Sequence, residues 1–258
     1  MKKSLFILAA VSLVAFASCG KSNVNVTGVK DLDGLRIGVQ SGTTGDSWVQ
    51  ENVKDVKLAS FKTGMDAALD LKNGAIDAVV LDELPAQAIV AKNPDLTIIR
   101  DPIFTENKEE YAIAVKKGNT QLLDSINETI NTMQNNGDYV ALVNAFMPAE
   151  GNIVIPAAKG TEGSKTVKLG TNAAFPPFEY VEGKDIVGFD ITMGGYIAEN
   201  CKAKLEVVNM EFDALIPALA SGSIDFIAAG MSVTEERKKN VDFSVPYYAS
   251  EQVIIVRK

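Results

Sequence analysis

The 258-residue chain contains no histidine, two cysteines and one tryptophan. Without histidine, no catalytic arrangement can rest on an imidazole base, and no metal site can use imidazole ligands. Cys19 and Cys201 are too few for a disulfide framework. The apolar run at residues 5–16 is too short to span a bilayer as a helix, which takes about 20 residues. Positive charge is also scarce: the net charge is −8, and loss of Lys2 and Lys3 with a leader makes it more negative. That acidity argues against a nucleic-acid partner, which would want a basic face, so none is expected. No cofactor and no metal are expected either.

What is present begins with an export signal. Lys2 and Lys3 precede the apolar run, which ends in Phe16-Ala-Ser-Cys19, so residues 1–18 read as a signal peptide. Small residues ahead of a cysteine resemble a lipobox. Cys19 is then the site of lipidation and the membrane anchor, and residues 19–28 are a tether. A plain signal peptide with an incidental cysteine is the other reading. Gly20-Lys21-Ser22 looks like the end of a phosphate loop, but Ala15 stands where that loop needs glycine.

Short apolar strands alternate with amphipathic helical stretches, which favours an α/β architecture with mostly parallel strands. Strands are expected at 35–39, 77–81, 97–100, 167–170, 205–208 and 224–229. Helices are expected at 65–72, 188–200 and 212–220, with two more between 121 and 146 separated near Asn136-Gly137. Two units rhyme: residues 67–82 (AALDLKNGAIDAVVLD) and 215–230 (LIPALASGSIDFIAAG). Each has a helix, a glycine suited to a helix C-cap, Ile-Asp, and an apolar strand. Either every αβ unit looks this way, or the chain holds two related lobes with Asp82 and Gly230 at equivalent strand ends. Ligands in open α/β sheets sit beyond such ends, so two lobes facing each other make a cleft. Residues 149–165, rich in small residues and without periodicity, read as a linker between the halves.

Thr234, followed by two glutamates, reads as a helix start. Arg237 just inside it is either one of a solvated charge run or a fork for a carboxylate. Ser232 and Thr234 offer hydroxyls beside it, and Gly230 allows close approach. Asp82 is either a surface acid or a seat for an ammonium group. If both sharper readings hold, a zwitterion bridges the two clamps and closes the cleft, which specifies an α-amino acid. The segment 40–48 (QSGTTGDSW) precedes a helix whose free N–H groups attract anions. In 175–180 (FPPFEY) the prolines rule out a helix and stiffen the loop that presents Phe175.

Five segments together resemble the polar amino-acid-binding proteins of ABC transporters: 175–180 (FPPFEY), 188–191 (GFDI), 210–219 (MEFDALIPAL), 229–248 (AGMSVTEERKKNVDFSVPYY) and 32–44 (LDGLRIGVQSGTT). The resemblance covers nearly all of 29–148 and 166–258. It implies two Rossmann-like lobes joined by two hinge strands, the type II periplasmic-binding-protein fold. It also implies a non-enzyme: a monomer that captures a free polar L-amino acid and delivers it to an ABC permease and its ATPase. By position, Arg237 meets the α-carboxylate with Ser232 and the Thr44 backbone. Asp82 meets the α-ammonium with the Gly230 carbonyl and the Ser232 hydroxyl. Phe175 and Phe212 sandwich the ligand side chain, Phe212 having a core role as its alternative, while Phe178 belongs to the core. Gln40, Asn172, Glu179 and Leu81 lie near the side-chain end. Asn172 stands where relatives with cationic ligands carry Asp, which weakens lysine and ornithine; Glu179 is the candidate compensation for arginine.

The order of the segments differs from the family's. The 175–180 segment lies near the mature N-terminus there, and here it comes after the 32–44 segment, so the chain resembles a circular permutant rejoined through 149–165. The lobe with Asp82 is then split, 29–112 plus 250–258. The lobe with Phe175 and Arg237 is continuous, 113–249. A swapped dimer is the alternative arrangement. Rival functions are a prephenate-type dehydratase with Glu179 as general acid, and an amino-acid sensory module.

Overall fold

The most apolar runs, 78–82 and 252–256, become strands buried on both faces, while those at 96–99 and 203–209 stay partly exposed. The structure, a computed structural model, describes residues 24–258; the expected signal peptide, Cys19 and the first part of the tether lie outside the described residues. In chain order the strands are β1 Arg36–Gln40, β2 Lys57–Phe61, β3 Ala78–Asp82, β4 Leu96–Ile99, β5 Glu109–Tyr111, β6 Ala114–Lys116, β7 Lys165–Thr171, β8 Ala174–Phe175, β9 Glu179–Glu182, β10 Asp185–Val187, β11 Ala203–Asn209, β12 Phe226–Ile227, β13 Val241–Phe243, β14 Tyr248–Ser250 and β15 Gln252–Arg257.

Two five-stranded sheets carry the lobes, ordered β2-β1-β3-β15-β4 and β11-β7-β12-β6-β13. The arrangement is the same in both. A parallel trio, β2-β1-β3 or β11-β7-β12, adjoins one antiparallel strand and then an edge strand. Each antiparallel strand enters its sheet after the chain has built strands of the other. β6 comes after β1–β4 and joins the second sheet, and β15 comes after β7–β13 and joins the first. Between them the chain runs along β5 and β14, which pair antiparallel with Tyr248 opposite Tyr111 and Ser250 opposite Glu109.

The sequence rhyme has a structural counterpart. Gly38 on β1 and Gly170 on β7 leave room for an isoleucine: an added Cβ would lie 2.5 Å from Ile76 Cδ1 and 2.2 Å from Ile224 Cδ1, respectively. The next residue exchanges two bonds with the first strand. Asp77 N–H donates to the Arg36 carbonyl, and the Asp77 carboxylate accepts from Arg36 N–H; Asp225 does the same with Lys168. The helices Gly64–Asn73 and Leu215–Ser221 both end on a left-handed glycine, Gly74 and Gly222, with φ 81° and 79°.

Alternation along the strands distributes side chains to both faces. In the first sheet Ile37, Val39, Val80, Ile254 and Val256 pack with Val26, Val49 and Phe104 on one face, while Val79, Leu81, Val253 and Ile255 turn to the other. In the second sheet Ile227 and Ala114 face Leu215, Leu219 and Ile224, and Leu169, Phe226 and Val115 face the opposite side.

Most expected elements appear with shifted ends, and Gly137 (φ 92°) separates Thr120–Asn136 from Asp138–Phe146. Two differ. The strand expected at 224–229 is reduced to Phe226–Ile227, because the chain leaves the sheet to form the cleft wall at Ala229 and Gly230. The helix expected at 212–220 opens as a 3-10 turn, Phe212–Ala214, before Leu215–Ser221. The linker docks on the second lobe. The Gly160 carbonyl accepts from Leu205 N–H at 2.8 Å, and Lys159 lies against Gly195 of the helix Phe189–Asn200.

Candidate functional site

The strand ends converge on one pocket. Gln40 closes β1, and the turn after it places Thr43 to accept from Asp46 N–H at 3.2 Å, capping the helix Thr44–Asn52. Asp82 closes β3. Asn172 and Phe175 come after β7, Phe212 after β11, and Gly230 and Ser232 after β12. Thr234 Oγ1 accepts from Arg237 N–H at 3.1 Å, which caps the short helix Glu235–Lys238 and fixes where Arg237 begins. Gln40, Thr44, Asp82, Asn172, Phe175, Glu179, Phe212, Gly230, Ser232 and Arg237, each a candidate in the sequence, line the same tight cavity of about 10 Å³ together with Thr43 and Ala229. Leu81 does not: it is buried against Gly64. Phe178 is a core residue, 5.0 Å from Tyr248 and 5.2 Å from Tyr111 between ring centroids.

Arg237 spans the cleft. Its Nη1 donates to the Ser232 carbonyl at 2.7 Å and its Nη2 to the Gly42 carbonyl of the other lobe at 3.0 Å. The guanidinium lies 5.3 Å from the centroid of the Phe212 ring, which also packs in the apolar cluster of Leu215 and Leu219. Among the described residues it has no carboxylate at ion-pair distance. Burial lowers its pKa, with the charges of Glu109 and Asp82 acting in the opposite direction.

Asp82 is buried. The Tyr111 hydroxyl donates to Oδ1 at 2.5 Å and the Ser250 hydroxyl at 3.3 Å, both from the crossing strands. Burial, then the charge of Glu109, push its pKa up to about 7. The Ser232 hydroxyl, expected to meet a ligand, donates to Glu109 Oε2 at 2.5 Å, and the Thr44 hydroxyl donates to the same oxygen at 2.6 Å. Gln252 Nε2 approaches Glu109 Oε1 at 3.3 Å. Sequence reasoning misses Glu109, Tyr111 and Gln252. The available signal was period-two spacing: residues 109 and 111 share a face of the crossing strand.

The opposite end holds acceptors. Gln40 Nε2 donates to Asn172 Oδ1 at 2.9 Å and Asn172 Nδ2 donates to the Met210 carbonyl at 2.8 Å, which leaves Gln40 Oε1 buried without a partner. Glu179 is 0% exposed; its oxygens accept no hydrogen bond from any neighbouring donor, and its carboxyl shares one with the carboxyl of Asp190. Burial raises its pKa well above the usual range, and the neighbouring Asp190 raises it further. Asp190 Oδ2 accepts from Gly230 N–H at 2.8 Å and Tyr247 O–H at 2.7 Å, and burial lifts that carboxyl to about 6.

The pocket thus has one cation at one end, buried acids across from it, and aromatic walls between. A wider opening of about 930 Å³ shares Thr44, Phe212 and Arg237 with it and runs out past Trp48 and Asp213. Among the described residues no cluster of acids and cysteines could hold a metal ion, and no helix is long and apolar enough to cross a membrane.

Residues 167–258 match the bacterial extracellular solute-binding proteins, family 3. The chain is 44% identical over 96 residues to the arginine-binding extracellular protein ArtP of Bacillus subtilis (strain 168), covering 37% of this chain and 38% of that protein. It is 41% identical over 93 residues to a probable histidine-binding protein of Campylobacter jejuni, covering 36% of each. It is 32% identical over 120 residues to the L-cystine-binding protein TcyJ of Escherichia coli (strain K12), covering 46% of this chain and 44% of the relative. The chain therefore spans less than half the length of these relatives. Among solved structures, the arginine-bound domain 1 of TmArgBP is 42% identical at a TM-score of 0.32, over 36% of this chain and 80% of that one. An ancestral arginine-binding protein bound to arginine is 51% identical at a TM-score of 0.32, over 32% of this chain and 37% of that one.

Proposed function

We propose that this chain, whose residues 167–258 match the bacterial extracellular solute-binding proteins of family 3, captures a free L-amino acid with a cationic side chain between its lobes. The observation behind this reading is a pair of unmet needs in one pocket. Among the described residues Arg237 has no carboxylate partner, and Glu179 and Gln40 hold buried acceptors with no donor. A buried acceptor without a donor costs about 1–3 kcal/mol, so a ligand that supplies donors recovers that energy on binding. The α-carboxylate then meets Arg237, and the α-ammonium meets Asp82. A guanidinium, planar and with five donors, suits Glu179 and Gln40 better than a single ammonium does. Phe175 and Phe212 flank the aliphatic stem. Arginine is the ligand of choice, in keeping with the name of the Bacillus relative.

Delivery to an ABC permease and its ATPase is part of the same reading, as are export, membrane anchoring at Cys19 and a monomeric state. The three relatives are named for binding, which supports a binding protein over a dehydratase with Glu179 as acid. We also read the chain as circularly permuted. Val26 and Val256 share one apolar cluster, while residues 149–165 bridge the halves elsewhere. Calorimetric titration with each of the common amino acids tests the reading. Saturable heat from L-arginine and not from L-glutamate is expected, and no saturable heat from any amino acid would sink it.

A further inference from the structure

Glu109 occupies a place that the amino-acid reading reserves for something else. Its Oε2 accepts from two hydroxyls, Thr44 of the first lobe and Ser232 of the second, and these residues lie on the same pocket wall as Arg237. Gln252 Nε2 supports the other oxygen. The Glu109 charge is also the largest favourable field acting on Arg237. Hydroxyls beside a guanidinium at the start of a helix are what a ligand carboxylate would use. Here the protein's own carboxylate uses them.

We infer that Glu109 is an internal anion that takes up the hydroxyl donors a ligand's α-carboxylate would use, without reaching ion-pair distance of Arg237, and that an incoming amino acid must displace it. The inference rests on the amino-acid reading for the identity of the displacing group. Two carboxylates cannot share one pair of hydroxyl donors, and like charges at that distance repel. An amino acid therefore spends part of its binding energy moving Glu109 aside. A ligand that lacks the carboxylate leaves Glu109 in place, and its ammonium then meets two acids, Asp82 and Glu109. Glu109 thus sets how strongly the site discriminates between an amino acid and the corresponding amine.

The test compares wild type, Glu109→Gln and Glu109→Ala in titrations with L-arginine and with agmatine, which is arginine without its α-carboxylate. Acetate is added separately as a bare carboxylate during thermal unfolding. Both variants are expected to bind L-arginine about tenfold tighter, the scale of one charge-assisted hydrogen bond released from competition. Agmatine should bind no tighter to the variants than to wild type. Acetate should raise the melting temperature of Glu109→Ala and not that of wild type. Equal weakening of L-arginine and agmatine would make Glu109 an ammonium ligand and overturn the inference. So would unchanged affinities with no acetate effect. If wild type binds no amino acid while acetate still stabilises only Glu109→Ala, the amino-acid reading fails and the carboxylate seat stands.

Discussion

Replacing Glu179 by glutamine separates the stability of the ligand-free protein from its capacity to bind. The side chain keeps its size and one carbonyl acceptor. It loses a carboxyl whose oxygens accept no hydrogen bond and which must keep its proton to share one with Asp190, and gains an amide that can donate to Asp190 at any pH. Relief of one such buried group is worth about 1–3 kcal/mol. In a chain of this size each kcal/mol moves the melting temperature by about 2–4 °C. The variant should therefore melt higher than wild type without ligand. The gap should depend on pH in a fixed direction. A carboxyl with a raised folded pKa holds its proton more tightly folded than unfolded, so its favourable contribution exists at low pH and is lost as pH rises through the raised value. Wild type loses that contribution above the ordinary carboxylate range and the glutamine variant does not, so the gap widens toward alkaline pH. L-Arginine binding should move the opposite way, weaker by about 2–5 kcal/mol for one member of a buried charged pair. Thermal unfolding across pH, paired with calorimetry, reads both quantities. A variant that melts lower at every pH and binds L-arginine unchanged would show that Glu179 serves the fold and not a ligand.

Arg237→Ala should weaken L-arginine by about 3–5 kcal/mol in calorimetry, because it strands the ligand's carboxylate; an unchanged affinity would remove Arg237 from the site. Affinity for L-arginine should rise with pH through about 7, where Asp82 gains its charge, and Asp82→Asn should flatten that profile. Gly230→Ala should reduce both stability and binding. At φ 52° a Cβ would lie 2.7 Å from Phe175 Cε1 and push that ring into the pocket, with an overpacking cost of about 1–3 kcal/mol read from thermal unfolding.

Much of this site could be read from residue order because its positions are local. Gly74 and Gly222 announce helix ends, Thr234 announces a helix start, and next to such punctuation the chain places a strand end or a capped loop. Asp82, Gly230 and Arg237 sit at those places, so the pocket's wall was legible. The hinge was not. Glu109 and Tyr111 acquire meaning only from Thr44, Ser232 and Asp82, which lie far away in sequence, and their alternation resembles that of any short strand. Residue order suggests that the Ser232 hydroxyl serves a ligand, and nothing in it points to Glu109 as the acceptor the fold supplies. The strand expected at 224–229 is cut short for a related reason: its apolar composition suits a strand, but the cleft needs Ala229 and Gly230 outside the ladder.

The shared strand order of the sheets has a consequence for how the polypeptide assembles as it is synthesised. The first sheet cannot join β3 to β4 until residues 252–257 exist, since β15 lies between them. For most of synthesis β3 presents an unpaired edge, and the apolar face around Val79 and Leu81 lacks Val253 and Ile255. Contacts between residues so distant are slow to form. A sheet built this way stays incomplete until residues 252–257 have been made, so the last step of its folding waits for them.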